Sequence, residues 1–322
     1  MTRIIEKVRQ IDNSKYDDLL IVSVSFEPRC LNISENLVEE YKTQKILIIR
    51  YFGEDPLKNN HQVKLKQILS SHLKDPKEKI DPIYFDKYDL TKLNEFILNL
   101  KTTNPFMERI TIDVSTFTKQ YLLLLLKLLR VNYPNAIVRL LYTPGYYGIK
   151  HSLSWGIKDI NYLPYFGNLN IFELPQSILI LLLGYESERA YAIWKFVEPD
   201  LTVAVIANPP SYHGADIPSR TVNKVILKNH NTIVEEVAAL DPICTKDLLN
   251  RWYRDNKYKN FMFSIAPLGT KMQTIGLYLF FEENNFTPSA QIVYASPLFY
   301  NRKKYSVEHD KRIREFYLPT TN

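Results

Sequence analysis

A short segment, residues 113–119, holds the side chains best suited to bind an anion. It follows a β-rich run and opens an apolar stretch that predicts a helix, so Thr118 and Lys119 fall at the amino-terminal end of that helix. The first N–H groups of a helix lack intrahelical partners, and the helix dipole places partial positive charge there, which attracts phosphate and carboxylate groups. Ser115 and Thr118 add hydroxyl donors, and Lys119 adds a cation. The segment therefore predicts a binding site for a phosphate-bearing ligand.

The same order of features returns in the second half of the chain. A second apolar run leads into Gly269, Thr270 and Lys271, and another apolar helical stretch follows. In each half the Lys precedes a Tyr in the next predicted strand by the same distance, since 142 − 119 and 294 − 271 both equal 23. The chain is therefore predicted to contain an internal duplication, with one anion site in each half.

Two further segments carry an acid and an arginine after an apolar strand. Ser25 precedes Glu27 and Arg29 in the first half, and Glu186 precedes Arg189 in the second. Arginine presents a fork of N–H donors that suits phosphate oxygens, so Arg29 and Arg189 are assigned to ligand binding. Ser25, in the same loop as Arg29, is assigned to ligand binding with them. Glu27 and Glu186 are the candidate catalytic groups, because a carboxylate beside an arginine stays ionised and could act as a nucleophile. The same acids and arginines could equally form structural ion pairs, and the sequence favours neither interpretation.

The bulk composition is that of an ordinary globular protein. Over 322 residues the net charge is +6, which is too small an excess to predict DNA or RNA binding. Cys30 and Cys244 are far apart and no CxxC spacing occurs, so neither a metal site nor a cofactor is expected. No apolar run approaches the ~20 residues needed to cross a membrane, and no signal-peptide pattern opens the chain. We therefore expect a cytoplasmic protein without a membrane partner.

Apolar runs of strand length alternate with helical stretches along both halves. The first run of each half lacks the period-2 alternation of a half-exposed strand, which predicts parallel strands buried on both faces. The pattern predicts an α/β fold of two tandem Rossmann-like units with mostly parallel sheets, related by a pseudo-two-fold. The predicted boundaries are 1–150 for the first unit, 151–174 for a connector and 175–322 for the second unit. Further predicted elements are a helix over 32–41, a strand over 224–227 and a helix over 230–239.

The turn after Asp113 resembles a loop of the CRISPR-associated Rossmann fold (CARF) family and of the related SAVED domains. That loop carries Asp or Asn, any residue, Ser or Thr, three residues, and then Lys or Arg, a pattern that Asp113, Ser115 and Lys119 match. The second half departs from it, with Ala266 in place of the acid. The resemblance implies binding of a cyclic oligonucleotide-like ligand at the cleft between two Rossmann-like units, in antiviral defence. Both halves would then contribute cations to one ligand.

Three classes of function stay open. A sensor would bind the nucleotide-derived ligand and act through a separate effector protein. A nucleotide-processing enzyme, such as a ring nuclease or a glycosidic-bond hydrolase, would use Glu27 or Glu186. A structural subunit of a multi-protein defence complex would need neither. The sequence carries no Ser-His-Asp order and no GxSxG motif, so a hydrolase of that type is not predicted.

Overall fold

The chain forms two compact units, each built around one sheet. The computed structural model describes residues 2–53, 55–78, 80–86, 89–147, 153–167, 176–285, 289–301, 305 and 308–320. The first unit comprises Met1–Tyr147 and Ser306–Asn322, and the second comprises Gly148–Tyr305. Both sheets consist mostly of parallel strands, so the predicted α/β fold with two mostly parallel sheets is confirmed.

The regular elements are named here in chain order. The strands are β1 (Arg3–Ile5), β2 (Asp17–Val24), β3 (Thr43–Tyr51), β4 (Pro82–Phe85), β5 (Arg109–Asp113), β6 (Ile137–Tyr142), β7 (Gly145–Tyr146), β8 (Ser154–Tyr162), β9 (Gln176–Leu182), β10 (Leu201–Ala207), β11 (Thr232–Val237), β12 (Phe261–Pro267), β13 (Ala290–Tyr300), β14 (Glu308–His309) and β15 (Ile313–Tyr317). The helices are α1 (Asn32–Glu35), α2 (Pro56–Ser70), α3 (Thr91–Thr103), α4 (Lys119–Asn132), α5 (Ser187–Val197), α6 (Asp216–Val222), α7 (Lys224–Leu227), α8 (Pro242–Tyr253) and α9 (Lys271–Glu283).

The first sheet has seven strands in the order β1-β15-β6-β5-β2-β3-β4. Strands β2 to β6 run parallel, and β15 and β1 close one side as antiparallel strands. The buried β2 lies at the centre, as expected for a strand that is apolar on both faces. Strand order reverses between β2 and β5, which makes the carboxyl ends of these strands the place where such a sheet binds ligands.

The second sheet has six strands in the order β11-β10-β9-β12-β13-β8. Its five parallel strands follow the same spatial order as those of the first sheet, with the reversal between β9 and β12. The shared order supports the predicted duplication, which stays a prediction. The antiparallel β8 pairs with β13 and comes from the predicted connector, of which residues 151–152 and 168–174 lie outside the described chain.

The carboxyl-terminal segment belongs to the first sheet, whereas the sequence prediction placed it with the second unit. β15 pairs with β6, and Arg139 of β6 lies 3.5 Å from a carboxylate oxygen of Glu315. The same guanidinium donates hydrogen bonds to Asp17 Oδ2 at 3.0 Å and to the Thr111 hydroxyl at 2.9 Å. All four side chains are buried. This pairing joins residues that are far apart in the chain, so no local pattern could indicate it.

Three predicted elements differ from the structure. Within 32–41 only α1 is helical, because the chain after it forms a bridge between Leu37 and Val8. The strand predicted at 224–227 is α7, and the helix predicted at 230–239 contains β11. β11 lies at the edge of its sheet and is largely exposed, so its apolar residues do not form the continuous run that marks a buried strand.

Candidate anion-binding sites at the two switch points

In the first unit, the amino-terminal end of α4 follows directly from the strand β5. Thr118 occupies the N-cap position, yet its side chain makes no capping hydrogen bond. Instead, its N–H and its hydroxyl approach the hydroxyl of Tyr51 at 3.3 and 3.4 Å. Lys119 begins the helix and is mostly buried, at 8% exposure. The start of α4 thus combines two hydroxyl groups, a cation and a first turn that its N-cap side chain leaves uncapped.

The corresponding end of α9 in the second unit is capped by its own residues. The Thr270 hydroxyl accepts a hydrogen bond from the Gln273 N–H at 3.1 Å, and Gln273 Oε1 accepts one from the Thr270 N–H at 2.8 Å. This reciprocal capping box occupies the backbone N–H groups of Thr270 and Gln273, which an anion would otherwise need as hydrogen-bond donors. A Cβ added at Gly269 would collide with Gln273 Oε1, so the glutamine amide fills the space above this turn. The predicted ligand residues Gly269, Thr270 and Lys271 therefore surround a turn that is already closed.

Asp113 braces the turn between β5 and α4. Its Oδ1 accepts a hydrogen bond from the Ser115 N–H at 2.9 Å, whereas Oδ2 has no hydrogen-bond partner among the described residues. Burial raises the pKa of this carboxyl to about 7, although the Ser115 hydrogen bonds oppose the shift. The side chain therefore holds a proton over much of the range in which an ordinary aspartate is charged, which reduces its repulsion of a nearby anion.

Two hydroxyls that the sequence assigned to the ligand fix loops instead. The Ser115 hydroxyl is fully buried and accepts a hydrogen bond from the Thr143 N–H at 2.9 Å. The Ser25 hydroxyl accepts one from the Glu27 N–H at 3.2 Å, and the Ser25 carbonyl lies 2.7 Å from His61 Nδ1. Both serines hold the loops at the carboxyl edge of the sheet, and Ser25 is only 7% exposed.

Arg29 and Glu27 form a buried two-point ion pair. The Arg29 Nε donates to Glu27 Oε2 at 2.9 Å, and Nη2 donates to Oε1 at 3.2 Å. Arg29 also donates to the Thr143 carbonyl at 3.2 Å and to the Tyr147 hydroxyl at 3.1 Å. With both carboxylate oxygens held by a guanidinium that is 1% exposed, a ligand would reach either group only if the pair opened.

The second unit repeats this arrangement with Arg189 and Glu186. Arg189 Nη1 donates to Glu186 Oε2 at 2.6 Å, and Nε donates to the Ala295 carbonyl at 2.7 Å. Glu186 Oε1 accepts from the Ser154 hydroxyl at 2.7 Å. The guanidinium lies 4.8 Å from the ring centroid of Tyr294. In both units the arginine thus ties the loop after the first parallel strand to the fifth, which favours the structural interpretation of these ion pairs.

Other reactive groups are few in the described part of the chain. Burial raises the pKa of the Cys30 thiol to about 12, so it stays protonated and is a poor nucleophile. Among the described residues, no group of three or more His, Cys, Asp or Glu side chains could hold a metal ion. None of the helices in the described ranges has the length and apolar character needed to span a bilayer.

Sequence reasoning missed two side chains at these sites. Tyr51 closes an apolar strand and therefore resembles an ordinary core residue, so nothing in the sequence marks its contact with Thr118. Gln273 could have been found, because Thr followed three residues later by Gln before an apolar run is the sequence pattern of a capping box.

Comparisons with known proteins add a likeness of fold. No family model and no curated protein matches the chain. A solved structure described as a type III CRISPR defence DNA nuclease activated by cyclic oligoadenylate is similar, with a TM-score of 0.55 and 10% sequence identity. The match covers 87% of this chain and 65% of that one, so the chain spans less than two thirds of the similar protein. At this identity the likeness concerns the fold alone.

Proposed function

We propose that the chain binds an anionic, nucleotide-derived ligand of the cyclic oligonucleotide class at the start of α4, and that it acts as a sensor in antiviral defence. The observation that carries the proposal is the contrast between the two switch points. The Thr118 side chain makes no capping hydrogen bond at the start of α4, whereas Thr270 and Gln273 cap α9. The similar solved structure is described as activated by cyclic oligoadenylate, which supports this choice of ligand class.

Each group at the start of α4 has a role in this proposal. A phosphate at the amino-terminal end of the helix would gain from the helix dipole and from the charge of Lys119. The hydroxyls of Thr118 and Tyr51 are 3.4 Å apart and would both turn to donate to phosphate oxygens. The raised pKa of Asp113 lets its carboxyl stay neutral beside the anion or donate a hydrogen bond to it.

The second unit is not expected to bind the ligand. Its turn before α9 is closed by the capping box, and Ala266 stands where the first unit has Asp113. We therefore propose that the ligand binds to the first unit alone. The sequence-based expectation that the ligand also contacts residues of the second unit is not part of this proposal; those residues are Arg189, Gly269, Thr270 and Lys271.

The ion pairs support a sensor over a nucleotide-processing enzyme. Both oxygens of Glu27 accept hydrogen bonds from Arg29, and the two oxygens of Glu186 accept from Arg189 and Ser154. A carboxylate held in this way is poorly placed to attack a phosphate or a glycosidic carbon, because it would first have to leave its partners.

The test is calorimetric titration of the whole chain with cyclic oligoadenylate, followed by chromatography of the recovered ligand. Binding with intact ligand is the expected result. Binding followed by conversion of the ligand would establish the enzyme instead. Absence of heat with every cyclic oligonucleotide tried would leave the structural-subunit hypothesis.

A further inference from the structure

Arg50 is a buried cation that forms no ion pair among the described residues. It lies near the carboxyl end of β3 and is 5% exposed. Other buried arginines of the chain lie 2.6–3.4 Å from a carboxylate oxygen; these are Arg29, Arg139, Arg189 and Arg314. Burying a charge is costly unless an opposite charge and hydrogen bonds compensate it. Arg50 therefore lacks the counter-ion that those arginines have.

Two neutral amides of α2 hold the Arg50 guanidinium in place. Its Nη1 donates to Gln62 Oε1 at 2.7 Å, and its Nη2 donates to Asn59 Oδ1 at 2.6 Å. Tyr84, which is paired with Arg50 in the ladder of β3 and β4, lies against the guanidinium, with 5.6 Å between Cζ and the ring centroid. The orientation of the guanidinium is thus fixed by three neighbours that carry no carboxylate.

The edge of the guanidinium that carries Nε and Nη2 is only half occupied. Nη2 donates to Asn59, whereas Nε is buried and has no hydrogen-bond partner in the described part of the chain. In Arg29 the same two nitrogens hold both oxygens of Glu27, at 2.9 and 3.2 Å. This two-point geometry is the one in which arginine binds a carboxylate or a phosphate. Arg50 therefore presents the donors of such a pair without the acid.

Arg50 and the proposed site at α4 lie on opposite faces of the first sheet. Successive side chains of a strand point to opposite faces. Tyr51 contacts Thr118 at the start of α4, whereas Arg50, the residue before it, contacts α2. A phosphate at the start of α4 is therefore not the counter-ion of Arg50, and an anion on the α2 side would occupy a separate site.

We propose that Arg50 binds an oxyanion, a phosphate or carboxylate group, on the α2 face of the first sheet. One oxygen replaces the Asn59 amide oxygen on Nη2, and a second oxygen accepts a hydrogen bond from Nε. Asn59 is exposed, so its side chain can turn away and open this edge of the guanidinium to solvent. Gln62 keeps its hydrogen bond to Nη1 and holds the donors in place. The site goes beyond the proposed function, because it uses no group at the start of α4.

The test observes Arg50 directly, by nuclear magnetic resonance of the arginine Nε–H groups of the whole chain. The Arg50 resonance is assigned by its loss in Arg50→Lys. Titration with inorganic phosphate, or with acetate as a simple carboxylate, should shift this resonance in wild type at constant ionic strength. A shift with phosphate alone assigns the site to phosphate groups, and a shift with acetate alone assigns it to carboxylates. If neither anion shifts the resonance, the proposal is wrong.

Asn59→Asp gives a second test, because it supplies the missing negative charge from the chain itself. The new carboxylate should occupy the Nε and Nη2 donors, so the anion that shifts the Arg50 resonance should bind at least about tenfold more weakly. The matched control is Asn60→Asp, which makes the same change at the next exposed position of α2 and should alter the affinity by no more than about twofold. Wild-type affinity in Asn59→Asp, or an equal loss in the two variants, would overturn the proposal.

Discussion

Arg29 lies between Glu27 and the carbonyl of Thr143, with 1% of its surface exposed. Removing one partner of a buried ion pair leaves an uncompensated charge and costs about 3–5 kcal/mol. We expect Arg29→Met to lower the free energy of unfolding by this amount. The double variant with Glu27→Leu should recover a large part of it, because no charge is then left alone. Urea titration followed by circular dichroism measures both, and an unchanged unfolding curve with lost ligand affinity would place Arg29 in the binding site instead.

Asp113 makes the stability of the protein depend on pH in an unusual direction. Burial raises its pKa from the ordinary 3.8 to about 7, so the folded protein holds this proton to higher pH than the unfolded chain does. Between about pH 4 and pH 7 the folded state therefore binds more protons, and the contribution of Asp113 to unfolding free energy falls as pH rises. Asp113→Asn cannot titrate, so its stability relative to wild type should improve from pH 4 to pH 8. Equal pH dependence in the two proteins would contradict the raised pKa.

For individual residues, the sequence predicted which side chains lie at the candidate sites but not what they do there. It indicated Glu27, Arg29 and Ser115 because acids, arginines and hydroxyls after buried strands are typical of ligand sites. The roles depend on contacts between distant parts of the chain, such as the bond from Arg29 to the Thr143 carbonyl across 114 positions. Burial by such contacts is a property of the fold, and no spacing rule in the sequence reports it.

The two helices at the switch points should respond differently to loss of the N-cap hydroxyl. Thr270 caps α9, and replacing such a cap by Ala costs roughly 0.5–2 kcal/mol. Thr118 makes no capping bond, so Thr118→Ala should leave the free energy of unfolding nearly unchanged. Urea unfolding measures both variants, and hydrogen exchange locates the effect in the first turn of α9. Equal destabilisation by the two variants would show that α4 is capped after all.

Most elements followed from the alternation of apolar strands and helices, because buried parallel strands leave continuous apolar runs. The predictions of secondary structure fail where an element is exposed or is held by residues distant in the chain. In β11, Ile233 and Val234 are 40% and 42% exposed, and two glutamates follow them, so the hydrophobic pattern of a buried strand is absent. The helix α1 stops after Glu35 because the following residues hydrogen-bond to Val8, near the start of the chain.

For the molecule as a whole, the tail 306–322 should stabilise only the first unit. Its strand β15 lies between β1 and β6, and Glu315 forms an ion pair with the buried Arg139. A chain ending at residue 305 should therefore lose hydrogen-exchange protection in β5 and β6 and keep it in β9 and β12. Loss of protection in both sheets alike would contradict the division into two units.

Two tandem α/β units were predictable because each half repeats the same alternation of strands and helices. The return of the chain to the first sheet was not, because β15 pairs with β6 across more than 170 residues and its own sequence resembles any short strand. The difference between the two candidate anion sites could be predicted only in part from the sequence. Ala266 indicated a changed second site, whereas only the structure shows that the Thr118 side chain makes no capping hydrogen bond to α4.

We propose that the start of α4, and not the start of α9, binds the ligand. Calorimetric titration of wild type, Lys119→Met and Lys271→Met with cyclic oligoadenylate distinguishes the two sites, because methionine nearly keeps the length of the side chain and removes its charge. A hydrogen bond to a charged group contributes about 1.5–3 kcal/mol, so Lys119→Met should bind at least tenfold more weakly. Lys271→Met should bind within about twofold of wild type, since loss of a charge outside the site changes association only weakly. Wild-type affinity in Lys119→Met, or an equal loss of affinity in Lys271→Met, would show that the ligand does not bind at the start of α4 alone.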